Sequence, residues 1–202
     1  MKHSIALLAL LMLSACADTL YPSMAQYNQA KKLGETTVEN FPHCQNYDCK
    51  LVKRVALNDY DWTKIEQAFG SPAKDAAQER EKIAKTIGAF EQIVGPLTKT
   101  QDDRAGSFLK TGEGQLDCVD ESTNTTVYLV ALVKKGMIRF HNINQPKVRY
   151  PLISGRGWMH QTAVVTDKES GGQYAVDSWF RDNGEPADIV PLTAWMDGWH
   201  PQ

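Results

Sequence analysis

Between residues 60 and 96 the apolar positions follow helical spacing. Asp61 can cap a first helix over Trp62–Phe69, and Gly70 can end it. Ser71-Pro72 then opens a longer helix, with Pro72 at the first helical position. Within it Ile83, Ile87, Phe90 and Ile93 recur at spacings of three or four and form one apolar stripe, and Gly95-Pro96 stops it. Glu79 and Glu81, beside Lys and Arg, read as its solvated outer face. A polar, glycine-containing loop covers 100–114. The next segment, Cys118 to Lys135, mixes signals. Thr123, Thr125, Thr126, Val127, Val130 and Val133 favour strand by propensity. A run of about 17 residues without a breaker is too long for a typical strand, however. Lys134 and Lys135 suit a last helical turn and Gly136 a left-handed cap, so a helix is predicted. Beyond Gly136 the period changes to two. Met137–Ile143, Val148–Ile153, His160–Thr166, Gln173–Trp179 and Ala187–Leu192 read as five short strands. Helices followed by an antiparallel sheet make an α+β fold.

The beginning of the chain has a different pattern. Met1-Lys2-His3 is a short basic region, followed by an apolar run of about nine residues, Ile5 to Leu13. That is too short to span a bilayer, which takes ~20 apolar residues, and has the size of a signal-peptide core. It ends in Leu13-Ser14-Ala15-Cys16, which resembles the bacterial lipobox, where the chain is cut before a lipidated Cys. Residues 1–15 are therefore expected to be a signal peptide and Cys16 an acyl anchor on the periplasmic side of a membrane. Ala17 after the Cys points to the outer membrane. Residues 16–42 read as a tether, and 43–202 as a single domain with its helical part at about 60–96.

Composition narrows the function classes. The formal charge of −2 over 202 residues, with no long Lys/Arg cluster, argues against nucleic acid as a partner. Four cysteines are too few for a disulfide scaffold. In an exported chain Cys44 and Cys49 are expected to close a short disulfide loop; a metal pair with distant ligands, beside His43, is the alternative.

Cys118 is then the odd cysteine, a candidate reactive thiol. Asp117 is a good N-cap, which places Cys118 in the first turn of the helix, where free N–H groups favour a thiolate. His160 and Asp177 lie on two strands joined by a turn at 167–172. If Thr166 pairs with Gly171 they stand directly opposite; if Asp167 pairs with Gly172 they are diagonal. Either register keeps both side chains on one face. A carboxylate beside an imidazole fixes its tautomer, so a nucleophile, a base and an orienter follow in chain order. No spacing supports zinc held by His141 and His160, and His141 and His200 read as incidental.

A helix beginning at Cys118, a strand beginning at His160 and a next strand carrying Asp177 resemble the transglutaminase-like superfamily, with its papain-like core. The local words Leu116-Asp117-Cys118-Val119-Asp120, His160-Gln161-Thr162-Ala163-Val164-Val165 and Tyr174-Ala175-Val176-Asp177 are similar to those of bacterial transglutaminase-like cysteine peptidases. The match covers about 112–180, and Glu121-Ser122-Thr123-Asn124 depart from the family's usual continuation. The resemblance implies a nucleophile at Cys118, a general base at His160 and an orienter at Asp177. It implies thiol acyl transfer or amide hydrolysis without a cofactor, on a protein or peptide such as a cell-wall peptide. By analogy to papain-like sites Gln115 is the candidate side-chain donor of an oxyanion hole. Trp158 and Trp179 are expected to wall the cleft, and Trp195 and Trp199 to close the core. An NlpC-type endopeptidase and a non-catalytic binding or structural lipoprotein are the alternatives.

Overall fold

The computed structural model describes residues 23–107, 112–150 and 159–202. The leader, Cys16 and Trp158 lie outside the described residues. The described order is α1 (Met24–Ala30), β1 (Asn40–Gln45), β2 (Leu51–Ala56), α2 (Asp59–Phe69), α3 (Ala76–Thr98), α4 (Cys118–Lys134), β3 (His141–Arg149), β4 (His160–Asp167), β5 (Gln173–Asp177), β6 (Asp188–Pro191) and α5 (Leu192–Met196). The fold is α+β: β1 and β2 form an antiparallel hairpin, and β3-β4-β5-β6 form an antiparallel sheet in that order.

Helix α4 is the central element. Val127, Leu129, Ala131 and Leu132 join the main core with Phe41, Ile83, Ile87 and Phe90. Phe90 stacks on Tyr128 with ring centroids 4.6 Å apart, and Trp62 meets Phe90 edge-on at 5.7 Å. Truncating such a buried ring typically costs ~3–5 kcal/mol. The buried polar run on α4 is compatible with helix because its groups find partners. Ser122 and Thr126 hydroxyls donate to the carbonyls of Cys118 and Ser122 at 2.6 and 2.7 Å. The Asn124 amide pairs with both backbone groups of Cys44, accepting at 2.6 Å and donating at 3.1 Å.

Several boundaries differ from those expected. The cap of α2 is Asn58, in a reciprocal capping box with Asp61, so the helix starts before Asp61. Helix α3 starts at Ala76 behind an Asp75 cap, not at Pro72. It also runs through Gly95-Pro96 to a left-handed Lys99. Gly95 is a packing residue there, since a Cβ would lie 2.9 Å from the Cα of Gln101. Glu79 does not lie on a solvated face. It is fully buried and accepts hydrogen bonds from His141 Nδ1 at 2.8 Å and from the N–H groups of Arg139 at 2.7 Å and Phe140 at 2.9 Å. Burial opposes ionisation of Glu79, but these donors outweigh it and hold the carboxyl below its ordinary range. Glu81 is exposed, as expected.

The described parts of the two expected strands Met137–Ile143 and Val148–Ile153 are not separate strands, and 151–153 lie outside the described residues. One strand, β3, spans 141–149 and carries a register shift between Asn144 and Lys147. Pro146 has no N–H for the ladder, so the chain bulges there instead of turning back. Residues 23–42 are more than a tether. Helix α1 is capped by Ser23, buries Tyr27 and leads into the β1–β2 hairpin. That hairpin lacks period-two alternation because five successive residues of β1, Phe41–Gln45, are buried.

Candidate active site

The Asp117 carboxylate accepts the N–H groups of Val119 at 3.1 Å and Asp120 at 2.8 Å, so α4 begins at Cys118. His160 opens β4 and Asp177 closes β5. The hairpin takes the second of the two expected registers: Thr166 pairs with Gln173 and Ala163 with Val176, and the Asp167 N–H donates to Gly172 O at 2.9 Å. Continuing this register makes His160 and Asp177 diagonal neighbours on one face. The helix is fastened to these strands by side chains. Gln161 Nε2 donates to Ser122 Oγ at 2.8 Å, Ser178 Oγ donates to Glu121 at 2.6 Å, and the Thr125 and Ser178 hydroxyls meet at 3.1 Å.

His160 Nε2 lies 2.7 Å from Asp177 Oδ2, and both residues are buried. A carboxylate accepts, so Nε2 carries the proton and Nδ1 keeps its lone pair. Nδ1 is buried and has no hydrogen-bond partner among the described residues. The same Asp177 oxygen accepts Trp195 Nε1–H at 2.7 Å. Three aromatic rings surround the imidazole, with centroids at 4.7 Å (Trp179), 5.0 Å (Phe180) and 5.4 Å (Trp195). They exclude water and strengthen the His160–Asp177 interaction. Trp195 is fully buried, as expected of a core residue, but it is also the second anchor of Asp177. Trp199 does not simply close the core: it is half-buried and lines an open cavity of about 1040 Å³ together with His160 and Trp179.

Cys118 and His160 line a second cavity, of about 260 Å³, whose walls include Tyr27, Lys31 and Asp48. The sulfur makes no hydrogen bond to the imidazole, and Cys118 is the free cysteine among the described residues. The thiol is not held as a thiolate by the helix terminus. Burial pushes it up to about 12, and Asp117 and Asp177 add to the rise, while the Gln161 N–H facing the sulfur pulls the other way. At neutral pH Cys118 is therefore a thiol, and it needs a base to react.

Gln115 does not reach this site. Its Nε2 donates to the Asp102 carbonyl at 2.8 Å, and its Oε1 accepts from Ser107 Oγ at 2.7 Å, so its amide braces the preceding loop. The backbone N–H of Cys118 lies at the very start of α4, behind the Asp117 cap. Cys44 and Cys49 form a disulfide, which displaces the metal-pair reading by using both sulfurs. The enclosed loop is tied to the Cys118 helix: Asp120 accepts the N–H groups of Tyr47 at 2.7 Å and Cys49 at 2.8 Å, and Asp117 that of Asp48 at 2.9 Å. His141 opens β3 while His160 pairs with Arg149 at its far end, so the two histidines lie at opposite ends of the β3–β4 ladder and do not share a site.

Two contributors escaped the sequence. Tyr27 OH meets Thr123 Oγ1 at 2.5 Å and accepts Gln161 Nε2–H at 3.0 Å, so α1 completes the Cys118 cavity. Arg149 is paired across the ladder from His160. No short-range pattern marks either of them.

No family model, curated protein or solved structure matches this chain. Among the described residues no helix is long and apolar enough to cross a membrane.

Proposed function

We propose that the chain is a thiol acyl-transfer or amide-hydrolysing enzyme with a transglutaminase-like, papain-like core, acting on a protein or peptide and held to the envelope through Cys16. The observation that carries this reading is His160. Its Nε2–H is committed to Asp177, and its bare Nδ1 belongs to the residue that shares a cavity with Cys118.

The chemistry follows from that tautomer. As substrate enters, the Cys118 proton passes to His160 Nδ1 and the sulfur attacks the carbonyl carbon. The Cys118 N–H, at the start of α4, faces the oxyanion. The C–N bond breaks, the amine leaves with the proton from Nδ1, and a thioester remains on Cys118. Water or a second amine, deprotonated by His160, then attacks the thioester and restores the thiol. Asp177 and Trp195 hold the ring and stabilise the imidazolium. Because the resting thiol is neutral, His160 acts as a base during attack and no standing ion pair is required.

The test is to mix the chain with envelope peptides, quench in acid and read the intact mass. A Cys118-linked acyl adduct that is absent from Cys118→Ala and from His160→Ala supports the reading. Unmodified Cys118 throughout, with the peptides bound, favours the binding-lipoprotein alternative, to which the buried, high-pKa thiol also lends itself.

A further inference from the structure

Arg149 is a buried cation with no ion pair among the described residues. It is 4% exposed, yet among the described residues no carboxylate lies within ion-pair distance of it. Nη1 donates to two backbone carbonyls, Trp195 O at 2.5 Å and Trp199 O at 2.9 Å, and the guanidinium sits over the Trp195 ring at 4.5 Å. These contacts fix its plane. They leave the opposite edge idle: Nε is buried with no hydrogen-bond partner among the described residues, and Nη1 alone of the terminal nitrogens bonds to a described residue. A buried charge is ordinarily paired, so a fixed guanidinium with an idle edge, set in a cavity wall and unpaired among the described residues, points to a ligand in that cavity.

Its place says which partner. Arg149 lines the 1040 Å³ cavity together with His160, beside the aromatic walls Trp179, Phe180 and Trp199. An Nε/Nη edge presents two parallel N–H donors, which match the two oxygens of a carboxylate. Asp197 shares the wall without pairing, and Asp177 stands nearby, so a compact monoanion suits the cavity better than a dianion.

We infer that Arg149 anchors a carboxylate of the substrate beside the reacting bond, making the preferred substrate a peptide with a free carboxylate next to the amide that is attacked. This rests on the thiol-enzyme reading above. The carboxylate is either the α-carboxylate of a C-terminal residue or an acidic side chain. Its site is separate from the nucleophile, so it binds whether or not Cys118 reacts.

The test therefore uses the Cys118→Ala chain, with Trp179, Trp195 and Trp199 as intrinsic fluorophores. N-acetylglycine, N-acetylglycinamide and the α-amide of N-acetylglutamate are titrated in turn. One of the carboxylates should bind roughly tenfold or more tightly than the neutral amide, the gain expected from charge-assisted hydrogen bonds. N-acetylglycine as the tighter ligand identifies an α-carboxylate; the glutamate derivative identifies a side chain. Arg149→Gln should bring the carboxylate and the amide within about twofold, while Arg149→Lys keeps part of the preference. Equal binding of all three ligands to a folded Cys118→Ala chain overturns the anchor and leaves Arg149 a brace for the Trp195–Trp199 carbonyls. If Arg149→Gln fails to fold, the ligand comparison in the Arg149→Lys chain decides the point. Failure of Cys118 to form an acyl adduct, with carboxylate selectivity intact, overturns the enzyme reading alone.

Discussion

Replacing Trp195 by Phe removes one hydrogen bond from Asp177 and little else. The indole is fully buried, its Nε1–H donates to Asp177 Oδ2 at 2.7 Å, and the same oxygen accepts His160 Nε2–H at 2.7 Å. A hydrogen bond to a charged acceptor contributes ~1.5–3 kcal/mol. The smaller ring adds ~1 kcal/mol for lost contact and incomplete collapse. The sum, ~2.5–4 kcal/mol, lowers the melting temperature by about 5–15 °C for a chain of this size. Thermal unfolding followed by circular dichroism reads this directly. Trp199→Phe is the control, because the Trp199 side chain makes no hydrogen bond among the described residues, and it should shift the melt by less than half as much. The same variant should also slow alkylation of Cys118, since an imidazole held by one contact less is a poorer base. A Trp195→Phe melt within about 2 °C of the parent would mean that Asp177 is held by something else, and would refute the two-donor account of the carboxylate.

Other outcomes follow from the buried polar groups. Glu79→Ala strips the partner from His141 and from two backbone N–H groups, and should cost ~3–5 kcal/mol, read as a melting temperature about 10 °C lower. Because hydrogen bonds hold Glu79 below its ordinary range, its contribution is present above that range and fades as acid protonates it. Glu91 runs the other way. Burial pushes it up to about 8, so the folded chain binds an extra proton between the ordinary carboxylate range and pH 8, and stability falls as pH rises through that window. Glu91→Gln, isosteric and neutral, should raise the melting temperature at pH 8.5 and change little at pH 5. Replacing both Cys44 and Cys49 by Ala opens a short loop worth roughly 2 kcal/mol of unfolded-chain entropy. It should lower the melt by several degrees and slow Cys118 alkylation, because the loop's N–H groups hold Asp117 and Asp120 at the start of α4.

The α+β class and the central helix were legible because they rest on local chemistry: an Asp cap at 117, a 3.6-residue stripe at Ile83, Ile87 and Phe90, and a change of period after Gly136. The register that puts His160 beside Asp177 was also legible, since two strands and a tight turn leave few pairings. What stayed hidden depends on contacts distant in sequence. Glu79 looks like surface charge until His141 and the chain before it fold over it. Gln115 sits three residues before the cysteine yet turns to the 102–107 loop. The helix terminus promised an activated thiol, but burial and two neighbouring carboxylates outweigh it. β1 fails the alternation test because both of its faces are covered.

In the proposed reaction His160 is the base for a Cys118 thiol that is neutral at rest. The most direct measurement is the rate of Cys118 alkylation by iodoacetamide across pH 5–10, in the parent chain and in His160→Ala. The parent should react at neutral pH, its rate should level off below pH 9, and His160→Ala should lose most of that rate. A rate that keeps climbing toward the thiol's own range near 12 and is the same in both chains would contradict this role of His160.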